Sequence, residues 1–162
     1  MHEPVFKWPA GFEPASARLY VRNSRMIDAP IENVWQWLIA APLWPTWFRN
    51  AANVRLDSGN LLSSDVRFRW SQTGVALDST VQEFAPFERL AWFAKSPLVR
   101  AYHTWDLREI GGRTSVVTDE TQQGIMPTLL GFALRGQMLK LHDLWLAELG
   151  KKAAQGPPPK AV

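Results

Sequence analysis

The chain has 162 residues, 46% of them apolar and 20% charged, one globular domain's worth of sequence with enough apolar material for a sizeable core. It contains no cysteine, which excludes a disulfide scaffold, thiolate-bound zinc or iron–sulfur centres and any thiol nucleophile. Eighteen Lys and Arg against fifteen Asp and Glu leave a formal charge of +3, too mild to announce a nucleic-acid partner.

Residues 1–16 hold Pro4, Pro9, Pro14 and Gly11 and read as an irregular arm, tied down, if at all, by Val5, Phe6, Trp8 and Phe12. Glu3, Lys7 and the prolines interrupt any apolar leader run, so a cytoplasmic protein is expected. A first strand is predicted over 17–27. Pro30 suits a first helical turn, and Ile31, Val34, Trp35 and Leu38 follow the helical stripe until Pro42 ends it. A second short helix is predicted to start at Pro45. Strand patterns follow at 54–56, 65–72, 75–84, 89–95, 99–110 and 114–123, separated by turn residues.

A long helix is predicted over 127–154. Leu130, Leu134, Met138, Leu141 and Trp145 share one face, with Arg135 and Lys140 directed outward. Charges within this helix rule it out as a membrane span. Gly156-Pro157-Pro158-Pro159 then opens a loose tail over 156–162. The folded domain is thus placed at 17–155. Arg18, Arg22, Arg25, Arg49, Arg55, Arg67 and Arg69 enrich the first half in positive charge, which solvated strand faces account for.

Two hairpins can be registered. A two-residue Gly111-Gly112 turn pairs Ile110 with Arg113, so Leu107 opposes Val116, Trp105 opposes Thr118 and His103 opposes Glu120. Leu107, Val116 and Trp105 mark this face as interior, which carries His103 and Glu120 inside with them. A Thr73-Gly74 turn sets Trp70 against Leu77, Phe68 against Ser79 and Val66 against Val81. On its solvent face Arg69 meets Asp78, an ion pair of favourable sign. A slip of one residue would invert both faces.

This order of elements resembles the helix-grip fold of the START-related, SRPBCC or polyketide cyclase/dehydrase-like superfamily. The resemblance is carried by Ile27-Asp28-Ala29-Pro30-Ile31-Glu32-Asn33-Val34-Trp35, Trp44-Pro45-Thr46-Trp47, Arg67-Phe68-Arg69-Trp70 and Pro86-Phe87-Glu88-Arg89-Leu90-Ala91-Trp92. Further on it is carried by His103-Thr104-Trp105, Glu120-Thr121-Gln122-Gln123-Gly124 and His142-Asp143-Leu144-Trp145-Leu146. It spans residues 18 to 155 and implies an α+β fold. A curved antiparallel sheet of six to seven strands would grip the C-terminal helix around a hydrophobic cavity. Members bind lipids, polyketides, isoprenoids or other apolar small molecules, and a minority catalyse cyclisation or dehydration, so the family leaves activity open.

Nine Trp, eight Phe and two Tyr supply rigid apolar surface for a dense core or a pocket wall. Phe68, Trp70, Trp92 and Trp105 are the expected wall, with Thr118 and Leu134 beside them. Gly131 and Gly136 are expected to leave room beneath the helix, since each interior glycine costs about 1 kcal/mol relative to alanine and wants a reason. His103 and Glu120 could polarise a carbonyl or move a proton, or simply satisfy each other as buried polar groups. His142, between Leu141 and Leu144, is expected to pack or cap at the helix edge. Although His103, Glu120 and His142 are conceivable metal ligands, no spacing demands it, and neither metal nor organic cofactor is expected. Phosphate loops, nucleophile elbows and His-Glu-x-x-His pairs are missing.

Three functions are compatible with these residues. The first is a binder of an apolar small molecule, without nucleic acid or membrane insertion. The second is an aromatase/cyclase or dehydrase using His103 and Glu120, and the third is a chaperone-like interaction protein without a ligand. Nothing in the sequence separates a monomer from a homodimer.

Overall fold

The computed structural model describes residues 6–159. Its elements are β1 (Leu19–Ile27), α1 (Ile31–Ile39), a 3-10 helix (Ala41–Thr46), β2 (Ala51–Leu56), β3 (Arg67–Gln72), β4 (Val75–Ala85), β5 (Arg89–Lys95), β6 (Arg100–Ile110), β7 (Arg113–Gln123) and α2 (Ile125–Ala154). The seven strands form one antiparallel sheet in the order β1-β7-β6-β5-β4-β3-β2. It is a meander from β2 to β7, with β1 added beyond β7. The architecture is the expected α+β helix-grip fold, with α2 packed on β1, β7 and α1.

Both hairpin registers are as the turns dictate. Gly111 and Gly112 have φ of 59° and 76°, and Thr73 and Gly74 have 50° and 84°, the left-handed pairs that match the twist of the flanking strands. His103 pairs with Glu120 and Trp105 with Thr118; Trp70 pairs with Leu77 and Phe68 with Ser79. Arg69 Nε lies 2.6 Å from Asp78 Oδ1 on the exposed face. Register shifts at Ala52/Arg55 and Val81/Glu83 are irregularities of the kind that bend a sheet.

Local bounds differ from expectation in several places: the strand expected at 54–56 begins at Ala51 and the one expected from 65 begins at Arg67. The short helix starts at Ala41, with Pro42 in its first turn and Pro45 inside it, because α1 has already ended at Ile39. Its effect is to place Trp44 at the centre of the core. The long helix begins at Ile125, capped by Gly124 at φ 122°. A Cβ on Gly124 would stand 2.7 Å from the Leu98 carbonyl oxygen, so the strand-to-helix corner excludes a side chain. The C-terminus is pinned at Gly156, whose carbonyl accepts from Trp37 Nε1 at 2.8 Å. Residues 160–162 lie outside the described residues.

The core is largely aromatic. The Trp145 ring lies 4.6 Å from Phe48, 5.3 Å from Trp44, 5.7 Å from Trp70 and 5.2 Å from Trp105. Trp44 closes the cluster against Phe68 and Trp92. The opposite face of the sheet is covered too. Phe6 and Phe12 are buried against Ala91 and Tyr102, Trp8 sits 5.5 Å from Tyr102, and Phe12 sits 5.3 Å from Phe93. Tyr102 is consequently buried, although it points away from the Trp105 face; Thr104 and Asp106 on the same face are buried as well. Val5, the fourth residue expected to tie the arm, lies outside the described residues.

Candidate functional site

Between the sheet and the first half of α2 lies a cavity of about 580 Å³. Trp70, Leu77, Trp92, Ala94, Val99 and Ala101 line it from the sheet. Met126, Leu134, Met138, Leu141 and Leu144 line it from the helix, Arg49 and Lys140 bring positive charge to it, and His103, Glu120 and Gln122 form a polar floor.

The expected site residues divide into two groups. Trp70, Trp92, His103, Glu120 and Leu134 line the cavity together. Phe68 and Trp105 stand behind this wall in the aromatic core, at 5.9 Å and 6.3 Å from the Trp92 ring. Thr118 supports His103 from behind. Neither glycine opens the space. Gly131 faces the backbone of Arg18, with a built Cβ 3.7 Å from its carbonyl oxygen, and Gly136 faces nothing within 4 Å on the exposed side of α2. Leu130 is also turned outward at 54% exposure. Of the expected stripe, the inward members are therefore Leu134, Met138, Leu141 and Trp145, and Met126 joins the cavity wall ahead of them. Met138 was on the expected helical stripe, whereas Ala94, Ala101 and Met126 carried no sequence signal beyond being apolar.

The polar floor is a chain of defined hydrogen bonds. Thr118 Oγ1 donates to the Thr104 carbonyl at 2.9 Å, which uses its only proton. His103 Nε2, 2.8 Å away, must then be the donor to Thr118. That leaves the Nδ1 lone pair directed toward Glu120, with Nδ1 3.4 Å from Oε2. Gln122 Nε2 donates to Glu120 Oε1 at 2.6 Å, and His142 Nε2 donates to Oε2 at 3.1 Å. His142 is thus fully buried and joined to the carboxylate, not at the helix edge as expected. The signal was its spacing, four residues after Met138 and three before Trp145, which puts it on the inward stripe.

Burial dominates the His103 imidazole and lowers its pKa to about 3, against the opposing pull of Glu120. At neutral pH His103 is uncharged. Burial works to raise the Glu120 carboxyl, but the His142 hydrogen bond, attraction from both imidazoles and the Gln122 amide together hold it below its ordinary value. The floor therefore presents a carboxylate beside a neutral imidazole lone pair, a combination able to accept a proton or a hydrogen bond from a bound molecule.

Comparison with known proteins agrees with this fold. A hypothetical protein of Helicobacter pylori superposes with a TM-score of 0.87 at 23% identity, over 94% of this chain and 98% of its own. A START superfamily protein from Mycobacterium smegmatis gives 0.70 at 12% identity, over 84% and 97%. A di-domain ARO/CYC of a biosynthetic pathway gives 0.64 at 17% identity, over 90% of this chain and 53% of that one. At these identities the likeness is one of fold. Among curated proteins none matches the sequence. The profile described as polyketide cyclase/dehydrase and lipid transport matches residues 18–147, from the start of the sheet to the buried half of α2, and the chain belongs to that family.

Proposed function

We propose that this protein binds one apolar small molecule, of lipid, polyketide or isoprenoid kind, in the cavity between the sheet and α2. The supporting observation is the cavity itself. A space of about 580 Å³ falls within the range of roughly 300–1,000 Å³ typical of small-molecule sites. Its walls include Leu, Met, Ala, Val and Trp side chains, and His103, Glu120 and Gln122 form a buried polar floor, with Arg49, Asn50 and Lys140 also on its lining. Apolar walls supply affinity, while the floor orients a polar end of the ligand. Among the described residues no helix is long and apolar enough to cross a membrane.

Native mass spectrometry of freshly purified protein tests this reading. The expected result is one hydrophobic molecule retained per chain, or one fluorescent apolar probe taken up after delipidation. A chain that emerges bare and takes up no probe would contradict it.

A second reading is favoured by the carboxylate and imidazole lone pair facing the cavity: an aromatase/cyclase or dehydrase reaction with His103 and Glu120 as the proton-handling pair. Glu120→Gln separates the two. A binder keeps its probe affinity within a few-fold, whereas an enzyme of this kind loses turnover while still binding the probe.

A further inference from the structure

We propose that His103 Nδ1, Glu120 Oε2 and His142 Nε2 form a site for one divalent first-row transition ion, of the Zn²⁺ class, at the floor of the cavity. The three donor atoms lie within 4.8 Å of one another. The two edges that share the carboxylate oxygen are 3.4 Å and 3.1 Å. An ion with bonds of about 2.1 Å in tetrahedral geometry spans donor–donor edges of roughly 3.4 Å. The two imidazole planes lie parallel, 3° apart in angle with centroids 4.8 Å apart, so one ring must rotate for both lone pairs to converge on the ion beside the carboxylate. Two imidazoles and one carboxylate suit zinc, cobalt or ferrous ions, and not the all-oxygen shells of calcium or magnesium.

The surroundings already have the form of an outer ligand shell. The Thr104–Thr118–His103 chain places the proton on Nε2 and leaves Nδ1 as a free lone pair, the support that metal-bound histidines usually have. Gln122 fixes the Glu120 oxygen that does not face the imidazoles. Nδ1 of His103 and Oε2 of Glu120 are held 3.4 Å apart, close enough to share one cation. Among the described residues, Glu120 has the two histidines as its ion-pair partners and neither Lys nor Arg. His142 becomes a ligand by carrying its proton on Nδ1, a buried nitrogen with no protein partner. Because His103 and Glu120 line the cavity, the fourth position opens into it, where water or an oxygen of a bound molecule completes the coordination. The ion would also join α2 to β6 and β7 at the point where the helix passes from exposed to buried.

The test begins with chelator-treated protein titrated with Co²⁺ alone, then Zn²⁺, followed by calorimetry and visible absorption. The expected result is one Co²⁺ per chain with the intense visible bands of tetrahedral cobalt, erased by Zn²⁺, and a rise in Tm with Zn²⁺. Glu120→Gln should weaken binding by about 100-fold or more, and Gln122→Ala, which keeps all three ligands, by about 10-fold. Replacing the one other histidine of the sequence, His2→Gln, should change nothing. No tetrahedral cobalt spectrum, or equal affinity in wild type and Glu120→Gln, would overturn the site. Should Glu120→Gln fail to fold, unchanged affinity in Gln122→Ala does the same. Probe uptake by the metal-free protein is read separately, so failure of the metal site leaves the small-molecule reading standing.

Discussion

At the scale of single residues, Trp145 and the Glu120 cluster carry most of the consequence. Trp145 is fully buried and touches the rings of Trp44, Phe48, Trp70, Trp92, His103 and Trp105. Trp145→Ala should cost roughly 3–5 kcal/mol in denaturant-induced unfolding; a loss below about 1 kcal/mol would place it at the surface. Within the cluster, the buried side chains of His142 and Glu120 share a hydrogen bond at the floor of the cavity. Removing Glu120 leaves the buried His142 without its hydrogen-bond partner, while removing His142 leaves Glu120 Oε2 without its donor and Oε1 still held by Gln122. His142→Gln and Glu120→Gln should therefore combine with a double-mutant coupling of about 0.5–3 kcal/mol, and strict additivity would show that the two do not meet. The inward placement of Glu120 was legible, because the Gly-Gly turn and the Leu107–Val116 pair fix the register. His142 was harder to place, since a polar residue on an apolar stripe reads equally as an edge residue until its partner is known.

Among elements, the contrast between the two ends of α2 is the informative one. The helix is buried at Trp145, Leu146, Leu149 and Ala153, yet Leu129, Leu130 and Phe132 are exposed at 74%, 54% and 99%. Helical periodicity finds the inward stripe, but it cannot tell a stripe that rests on strands from one that roofs a cavity. Gly124 and Gly136 separate these regimes. Gly136→Ala adds a methyl in open space on a helix and should stabilise the protein by about 0.5–1 kcal/mol. Gly124→Ala meets the Leu98 carbonyl at 2.7 Å with φ at 122° and should destabilise it by roughly 1–3 kcal/mol. Thermal unfolding of the two variants checks both signs. The arm is the element that pattern reading could least place. Its aromatics have no period, so nothing in the sequence says which sheet face Phe6 and Phe12 cover; Phe12 is buried in that cover, and Phe12→Ala should cost about 3–5 kcal/mol in thermal unfolding.

At the scale of the whole molecule, sheet and helix enclose a space with largely apolar walls and a buried floor of His103, Glu120 and Gln122. Most of the topology was readable because strand lengths and turn residues are local properties. The cavity wall was only half readable. Ala94, Val99, Ala101, Met126 and Met138 look like any core positions until the helix is seen to stand away from the sheet. Titration of delipidated protein with an apolar fluorescent probe, in wild type, Ala101→Phe and Gly136→Leu, tests the central claim most directly. Ala101 lines the cavity and Gly136 faces open space. The expected outcome is one probe per chain in wild type, affinity lowered about 10-fold or more by Ala101→Phe, the loss of about 1.4 kcal/mol of binding, and no change from Gly136→Leu. Equal affinity in all three folded proteins would contradict a ligand site between the sheet and α2.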